Sequence, residues 1–299
     1  MPCCRFGLAA VAASAVAHAG CGDGTRVSLG DGTYVAAAAF GSGALVAELA
    51  SVGSDDEKPT LTSDRLELYF LSTRPGGPGN ADVWVSKRSS VGDPWGAPGL
   101  VAEVSSPAHE RSPAVSADGT VLWLASDRVG GQGGLDIWVS VRANRSAVWS
   151  APVVVPELNS PGDEIPRPPG QGGLVMPLAS RGTPTDLYQL ELAARSTLGG
   201  TWSAPSRIAS VDTANIDVDG FLTDDGLLLY FSSDRITALD QDLFVASRAT
   251  IASQFTVVTP LFDLNTRAAD RDPWVSADGN EIYFTSNRGG SMKIYRATR

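Results

Sequence analysis

The chain has 299 residues, with 33 acidic against 23 basic side chains, a net charge of −10, three cysteines and two histidines. A nucleic-acid reader needs a basic stripe to neutralise phosphates, so this balance excludes one and disfavours anionic lipid headgroups too. With only Lys58, Lys87 and Lys293 as lysines, the acidity suits solubility and the steering of cationic partners.

In chain order, the first element is a targeting segment. Arg5 supplies a positive start, and Phe6 to Ala17 form an apolar run too short for a membrane span but right for a signal peptide. Two cleavage sites compete. Ala17-His18-Ala19 fits an Ala-x-Ala site, whereas Ala19-Gly20-Cys21 resembles the end of a lipoprotein box in which His18 replaces the usual leucine. Cys3 and Cys4 leave with the signal, so Cys21 is the single mature cysteine, and lipidation accounts for an exported thiol without a partner. Residues 1–20 are therefore read as a signal peptide. Residues 21–42, rich in Gly, Ala and Asp, are read as a tether behind lipidated Cys21, and 43–299 as one domain. The alternative is a soluble exported protein.

From there the chain repeats. Arg74, Arg128, Arg181, Arg235 and Arg288 are separated by 54, 53, 54 and 53 residues, each one or two positions after a serine. Trp95, Trp149 and Trp202, with Phe255 next in step, and the pairs Asp118-Gly119, Asp225-Gly226 and Asp278-Gly279 share the period. Such self-similarity marks a repeat architecture. Each unit reads as four strands. A first strand enters the Asp-Gly turn, a hairpin signal. An apolar second strand follows (Val121 to Ala125, with counterparts at Leu66, Leu174, Leu227 and Glu281). A glycine loop leads to a third strand opening on Asp82, Asp136, Asp186 or Asp242, and a fourth follows the Trp-x-Ala-Pro segment. With no sustained helical period, the class is all-β, a propeller of four-stranded blades. The fifth unit ends at Arg299 before a fourth strand. Ala44 to Leu49 parallels Val153 to Leu158, and is expected to supply that strand and close a five-bladed ring.

The order Ser-x-Arg, Gly-Gly-x-Gly, Asp-Ile-Trp, Trp-Ser-x-Pro, Leu-Asn-Ser-x-x-Asp-Glu, Ser-Pro-x-x-Ser-x-Asp-Gly resembles the WD40-like propeller repeat of TolB-type proteins, in the version found in bacterial envelope lipoproteins. Blade two, Ser112 to Glu164, carries it most fully, and the resemblance spans about Lys58 to Arg299. It implies the fold, with a six-bladed TolB-like ring as the alternative count, and an envelope location facing the periplasm or the cell surface. It implies no activity, because propellers host many. Blade three departs from it: Arg167-Pro168-Pro169-Gly170-Gln171-Gly172-Gly173 stands where the pattern has Ser-x-Asp-Gly.

Chemistry-bearing motifs are sparse. His109 is the one mature histidine, and the glycine loops lack the Lys-Ser/Thr of a phosphate cradle. The five clock arginines, present in every unit, are expected to be structural, pairing with the third-strand aspartates. Glu57, Glu110, Glu164, Asp217 and Asp270 share the period just before the strand expected to line the channel. They either cap their own turns or form a rim that attracts a cation or a partner, lopsided toward blades three and four, where Ile165 and Val218 follow instead of a cation. Asn215-x-Asp217-x-Asp219-Gly220, followed by Asp224, resembles the start of a calcium loop without its final glutamate, so calcium is the one cofactor to consider. The reading taken forward is a non-catalytic, monomeric envelope protein binding another protein or a cell-wall polymer, touching membrane only through its anchor. The runner-up is a glycosidase with paired carboxylates in the channel.

Overall fold

Every Asp-Gly pair singled out above closes a hairpin. Gly119, Gly226 and Gly279 take φ values of 74°, 71° and 69°, left-handed backbone that glycine adopts without a Cβ clash; Arg65 does the same in the first unit at 60°. These hairpins build the protein in a computed structural model that describes residues 26–28, 34–36, 39–237 and 240–299. Residues 1–20 and Cys21 lie outside the described residues. Within the segment read as a tether, Arg26–Ser28 pairs antiparallel with Tyr34–Ala36 as a separate two-stranded sheet.

Five antiparallel four-stranded blades follow, four of them meanders in sequence order and the fifth completed by a strand from earlier in the chain. Their innermost strands are Asp56–Leu61, Glu110–Val115, Asp163–Pro166, Asp217–Leu222 and Asp270–Val275. The second strands are Glu67–Ser72, Val121–Ser126, Val175–Arg181, Leu228–Thr237 and Glu281–Ser286. They are the apolar runs of the sequence, and those of blades one and five are buried along their whole length, as a strand covered on both faces must be. Among the described residues one 3-10 turn, Pro156–Leu158, is the whole helical content.

The ring closes as expected. Ala44–Leu45 pairs with the last strand, Lys293–Thr298, in the register Leu45 to Tyr295 and Ala44 to Arg296. Val46 N donates to Ile294 O at 3.0 Å and Gly41 N to Thr298 O at 2.8 Å, extending the seam on both sides. A second arginine series explains why the closing segment begins earlier than the strand itself. Arg88, Arg142, Arg195 and Arg248 lie 4.2–4.6 Å over Trp95, Trp149, Trp202 and Phe255, and Arg299 lies 4.5 Å over Phe40. Phe40 is thus the fifth blade's equivalent of the period tryptophan, supplied from the other end of the chain. Each tryptophan also reaches its neighbour: Trp95 meets Tyr283, Trp149 meets Tyr69 and Trp202 meets Trp123, edge to face at 6.0–6.4 Å.

Deleting residues 39–50 is therefore expected to unmask the Lys293–Thr298 edge and remove the buried Phe40, Val46 and Leu49 together. Measured by thermal melting and soluble yield, the loss should exceed that of Leu49→Ala alone, about 2–5 kcal/mol for a buried leucine.

Candidate functional site

Each innermost strand begins with an acid directly opposite a serine, at its first residue in four blades and its second in blade three: Asp56 faces Ser72, Glu110 Ser126, Glu164 Ser180, Asp217 Ser233 and Asp270 Ser286. In four blades the arginine two residues after that serine folds back on the pair. Arg74 gives Nη2 to Asp56 Oδ1 and to Leu49 O, both at 2.6 Å, and Nε to Ser72 Oγ at 2.9 Å. Arg128 does the same with Glu110, Val104 O and Ser126, Arg235 with Asp217, Val211 O and Ser233, and Arg288 with Asp270, Leu264 O and Ser286. Each guanidinium lies over an aromatic at the strand centre: Phe70 and Trp84, Trp138, Phe231 and Phe244, or Phe284 and Tyr295. The acid's remaining capacity takes the turn amide of Ser51, Ser106, Thr213 or Thr266. In these four blades the period acids and the clock arginines are one charge-assisted knot.

Two sequence expectations shift accordingly. The arginines do not take the third-strand aspartates; Asp82 and Asp136 accept loop amides from Gly79, Gln132 and Gly133 instead. The ring member in blade one is Asp56, not Glu57, because the serine opposite fixes the register. Glu57 lies one position on and pairs with Arg271 of blade five.

Immediately after these acids the innermost strands of four blades bulge, with register shifts at Glu57/Thr60, Arg111/Ala114, Val218/Phe221 and Arg271/Trp274. The bulge residue is Lys58, Ser112, Asp219 or Asp272, held at φ 55°, 47°, 59° and 59°. Left-handed backbone at a non-glycine costs about 1–3 kcal/mol, and bulges re-aim side chains. Here they gather charge on the axis. Lys58 Nζ bridges Asp219 Oδ1 at 2.7 Å and Asp272 Oδ1 at 2.8 Å. Asp219 and Asp272 thus share one ammonium, and Asp272 Oδ2, buried, has no hydrogen-bond partner. Burial and the Asp272 charge push the Asp219 carboxyl up, while Lys58 and Arg271 hold Asp272 well below the usual carboxylate range against its burial. Blade three has no bulge. It sends in Arg167, wholly buried, which donates Nη2 to Pro273 O at 2.6 Å and leaves Nε and Nη1 without acceptors. Sequence reasoning flagged 167–173 as the deviant stretch but missed that its arginine reaches the axis. The signal available was a lone arginine between prolines.

Blade three departs at the knot as well. Arg181 immediately follows its serine rather than standing two residues on, so it aligns opposite Asp163 and pairs with that side chain at 2.5 Å. Gly182 occupies the arginine position. Glu191 stands opposite Leu178 where the other blades place Trp84, Trp138, Phe244 and Tyr295. Glu164 thereby loses its cation. The Ser160 hydroxyl donates to Oε1, the Ser160 amide approaches without closing a bond of ordinary geometry, and Oε2, buried, has no hydrogen-bond partner. Burial, with Asp136 and Glu191 nearby, pushes this carboxyl up to about 7. Of the two blades toward which the acidic excess was expected to lean, blade three carries an uncompensated acid and blade four's Asp217 has Arg235.

The calcium candidates are not drawn together. Asp217 belongs to its knot, Asp219 to the axis, and Asp224 accepts the Gly172 amide at 2.6 Å; Asn215 donates its amide to Thr213 Oγ1. Among the described residues no cluster of His, Cys, Asp or Glu is arranged to hold a metal ion. His109 takes part through its backbone, its amide donating to Asp127 Oδ1.

No protein-family model matches this chain, and no curated sequence does so either. Solved structures do resemble it. An α-L-arabinofuranosidase from Podospora anserina, solved with cellotriose, superposes with a TM-score of 0.58 at 10% identity, over 87% of this chain and 96% of that one. An endo-arabinase from Bacteroides thetaiotaomicron gives 0.57 at 14% identity, over 81% and 93%. A TolB from Acinetobacter baumannii gives 0.54 at 14%, over 84% of this chain, which spans 55% of that protein's length. At these identities the likeness is one of fold, and it joins a TolB-type propeller with hydrolase propellers.

The displaced Glu164 has a pH consequence. Its folded-state affinity for a proton exceeds the ordinary value of 4.5. Below about pH 4.5 it is neutral folded or unfolded; as pH rises toward about 7 the unfolded chain ionises first, and stability falls. Glu164→Gln should therefore melt near the wild type at pH 4.5 and higher than it at pH 8, by about 2–4 °C for each kcal/mol relieved. Melting curves across that range check it.

Proposed function

We propose that this protein is a non-catalytic binding propeller of the cell envelope, exported by its N-terminal segment, held through Cys21, and acting as a monomer that presents one propeller face to a protein or a cell-wall polymer. The observation that carries the reading is the state of the axis. A glycosidase needs two carboxyl groups flanking an accessible bond, about 5–9.5 Å apart. Here Asp219 and Asp272 are 2% and 0% exposed and bridged by the single Lys58 ammonium, which occupies the space a sugar would need between them. Removing one partner from such a buried set costs about 3–5 kcal/mol, so the axis serves as a strut between blades one, four and five. Among the described residues no helix is long and apolar enough to cross a membrane, in keeping with attachment through the terminus.

The hydrolase reading draws on the arabinofuranosidase and endo-arabinase likenesses. Both readings meet in one assay. With arabinan, arabinoxylan and 4-nitrophenyl arabinofuranoside, the purified protein should release no more product than its Asp272→Asn variant, while crosslinking in the native envelope should capture a reproducible partner. Turnover abolished by Asp272→Asn overturns the binding reading. For the anchor, the intact mass of the mature envelope form should correspond to a chain beginning at acylated Cys21; a chain beginning at Gly20 with a free thiol refutes it.

A further inference from the structure

The repeat supplies its own control for what belongs in the blade-three knot. In blades one, two, four and five an identical set of acceptors receives a guanidinium: a buried acid, a serine hydroxyl opposite it, and the carbonyl of an apolar residue whose amide closes a turn on the residue three before. Leu49, Val104, Val211 and Leu264 provide that carbonyl, and their amides bond Val46, Val101, Ile208 and Leu261. Blade three keeps all three acceptors. Glu164 is the second residue of the strand, Ser180 lies opposite, and Leu158 closes the same turn on Val155. What it lacks is the arginine, replaced by Gly182.

The local changes all work in one direction. Glu164 is 2% exposed, and its Oε2 has no hydrogen-bond partner. In blade one the serine hydroxyl donates to the acid opposite, whereas no such bond joins Ser180 to Glu164. Glu191 replaces the aromatic that would have stacked on the guanidinium, so a second acid stands in place of the ring face. By register Glu164, Ser180 and Gln189 share one face of the sheet. Ser180, Gln189 and Glu191 line a cavity of about 410 Å³ that also touches Arg181, Gly182 and Arg207. The two arginines are engaged elsewhere, Arg181 with Asp163, and Arg207 with Asp212 at 3.2 Å and Gln189. Arg207 lies opposite Glu191 in register and eases its charge, but neither arginine hydrogen-bonds Glu164, Ser180 or the Leu158 carbonyl. An unpaired buried acid is costly, and a cation entering the slot would relieve that cost.

We infer that the blade-three slot, formed by Glu164, Ser180, Glu191 and the Leu158 carbonyl, receives an arginine side chain from a partner polypeptide, the guanidinium occupying the place that the chain's own arginine fills in the sister blades. Planar N–H donors match an acid, a hydroxyl and a carbonyl set in a fork; an ammonium presents a point charge without that geometry. The inference rests on the binding reading for the source of the arginine and adds the chemistry that a partner would present.

The slot is tested on the full mature chain with a fluorescein-labelled Gly-Gly-Arg-Gly-Gly peptide, its lysine counterpart and agmatine, by anisotropy and competition. The arginine peptide should bind saturably, at least tenfold tighter than the lysine peptide, with agmatine competing. Glu164→Gln should weaken it at least tenfold. Gly182→Arg restores the missing side chain at a position whose added Cβ would come no closer than 3.3 Å to Asp186 Oδ2. It should abolish peptide binding while raising the melting temperature, an outcome that a misfolded variant cannot mimic. Equal binding of both peptides, or undiminished binding to Gly182→Arg, overturns the proposal. So does binding of agmatine without the peptide, which would assign the slot to a free small guanidine. Failure at the slot leaves the non-catalytic reading standing, because hydrolysis and envelope capture are measured without it.

Discussion

The guanidinium knot joins segments that no local rule would bring together. One arginine, leaving the end of a second strand, ties the acid opening the innermost strand, the serine opposite it and a carbonyl in the turn arriving from the previous blade, while its flat face covers the aromatic layer. The same four contacts set the strand order and the entry angle of the incoming chain. They also neutralise a buried carboxylate that would otherwise oppose folding. Because every member is needed at once, the spacing between acid, serine and arginine cannot drift, and a single missing residue in blade three is enough to send Arg181 to a different acid.

A second arginine series does for the seams between blades what the knot does within them. The tryptophan or phenylalanine after each third strand is pressed between an arginine of its own blade and, in blades one to three, an aromatic ring of the preceding one. Phe40 and Ala44–Leu45 make the last of these seams from the far end of the chain. Ring closure therefore uses the contacts found at the other blade boundaries and leaves no sheet edge open there.

The axis is the place where the repeat is deliberately broken. Four bulges with strained backbone point Lys58, Ser112, Asp219 and Asp272 toward the centre, and blade three adds Arg167 by a different backbone route. Opposite charges fill the space that a ligand would need. The surfaces left to act are the faces and the seams, and the blade-two/blade-three seam is the one where the repeated chemistry is incomplete.

Much of this was legible in the residues. Period, blade count, hairpin positions and the terminal closure all follow from regularities that every blade must satisfy: a turn glycine free to take positive φ, an apolar run for a strand buried on both faces, and a missing fourth strand reappearing upstream. The sites were less legible because they depend on register, and register is decided across strands. Glu57 and Asp56 are neighbours in the chain, yet only the serine opposite shows that Asp56 is the repeat member. Arg181 keeps the sequence period almost unbroken, yet a one-residue offset turns its side chain to the other face of the sheet. The meeting of Lys58, Arg167, Asp219 and Asp272 spans four blades and arises only when the ring closes. Local propensity and spacing settled the repeat; the closed sheet decided which charges meet.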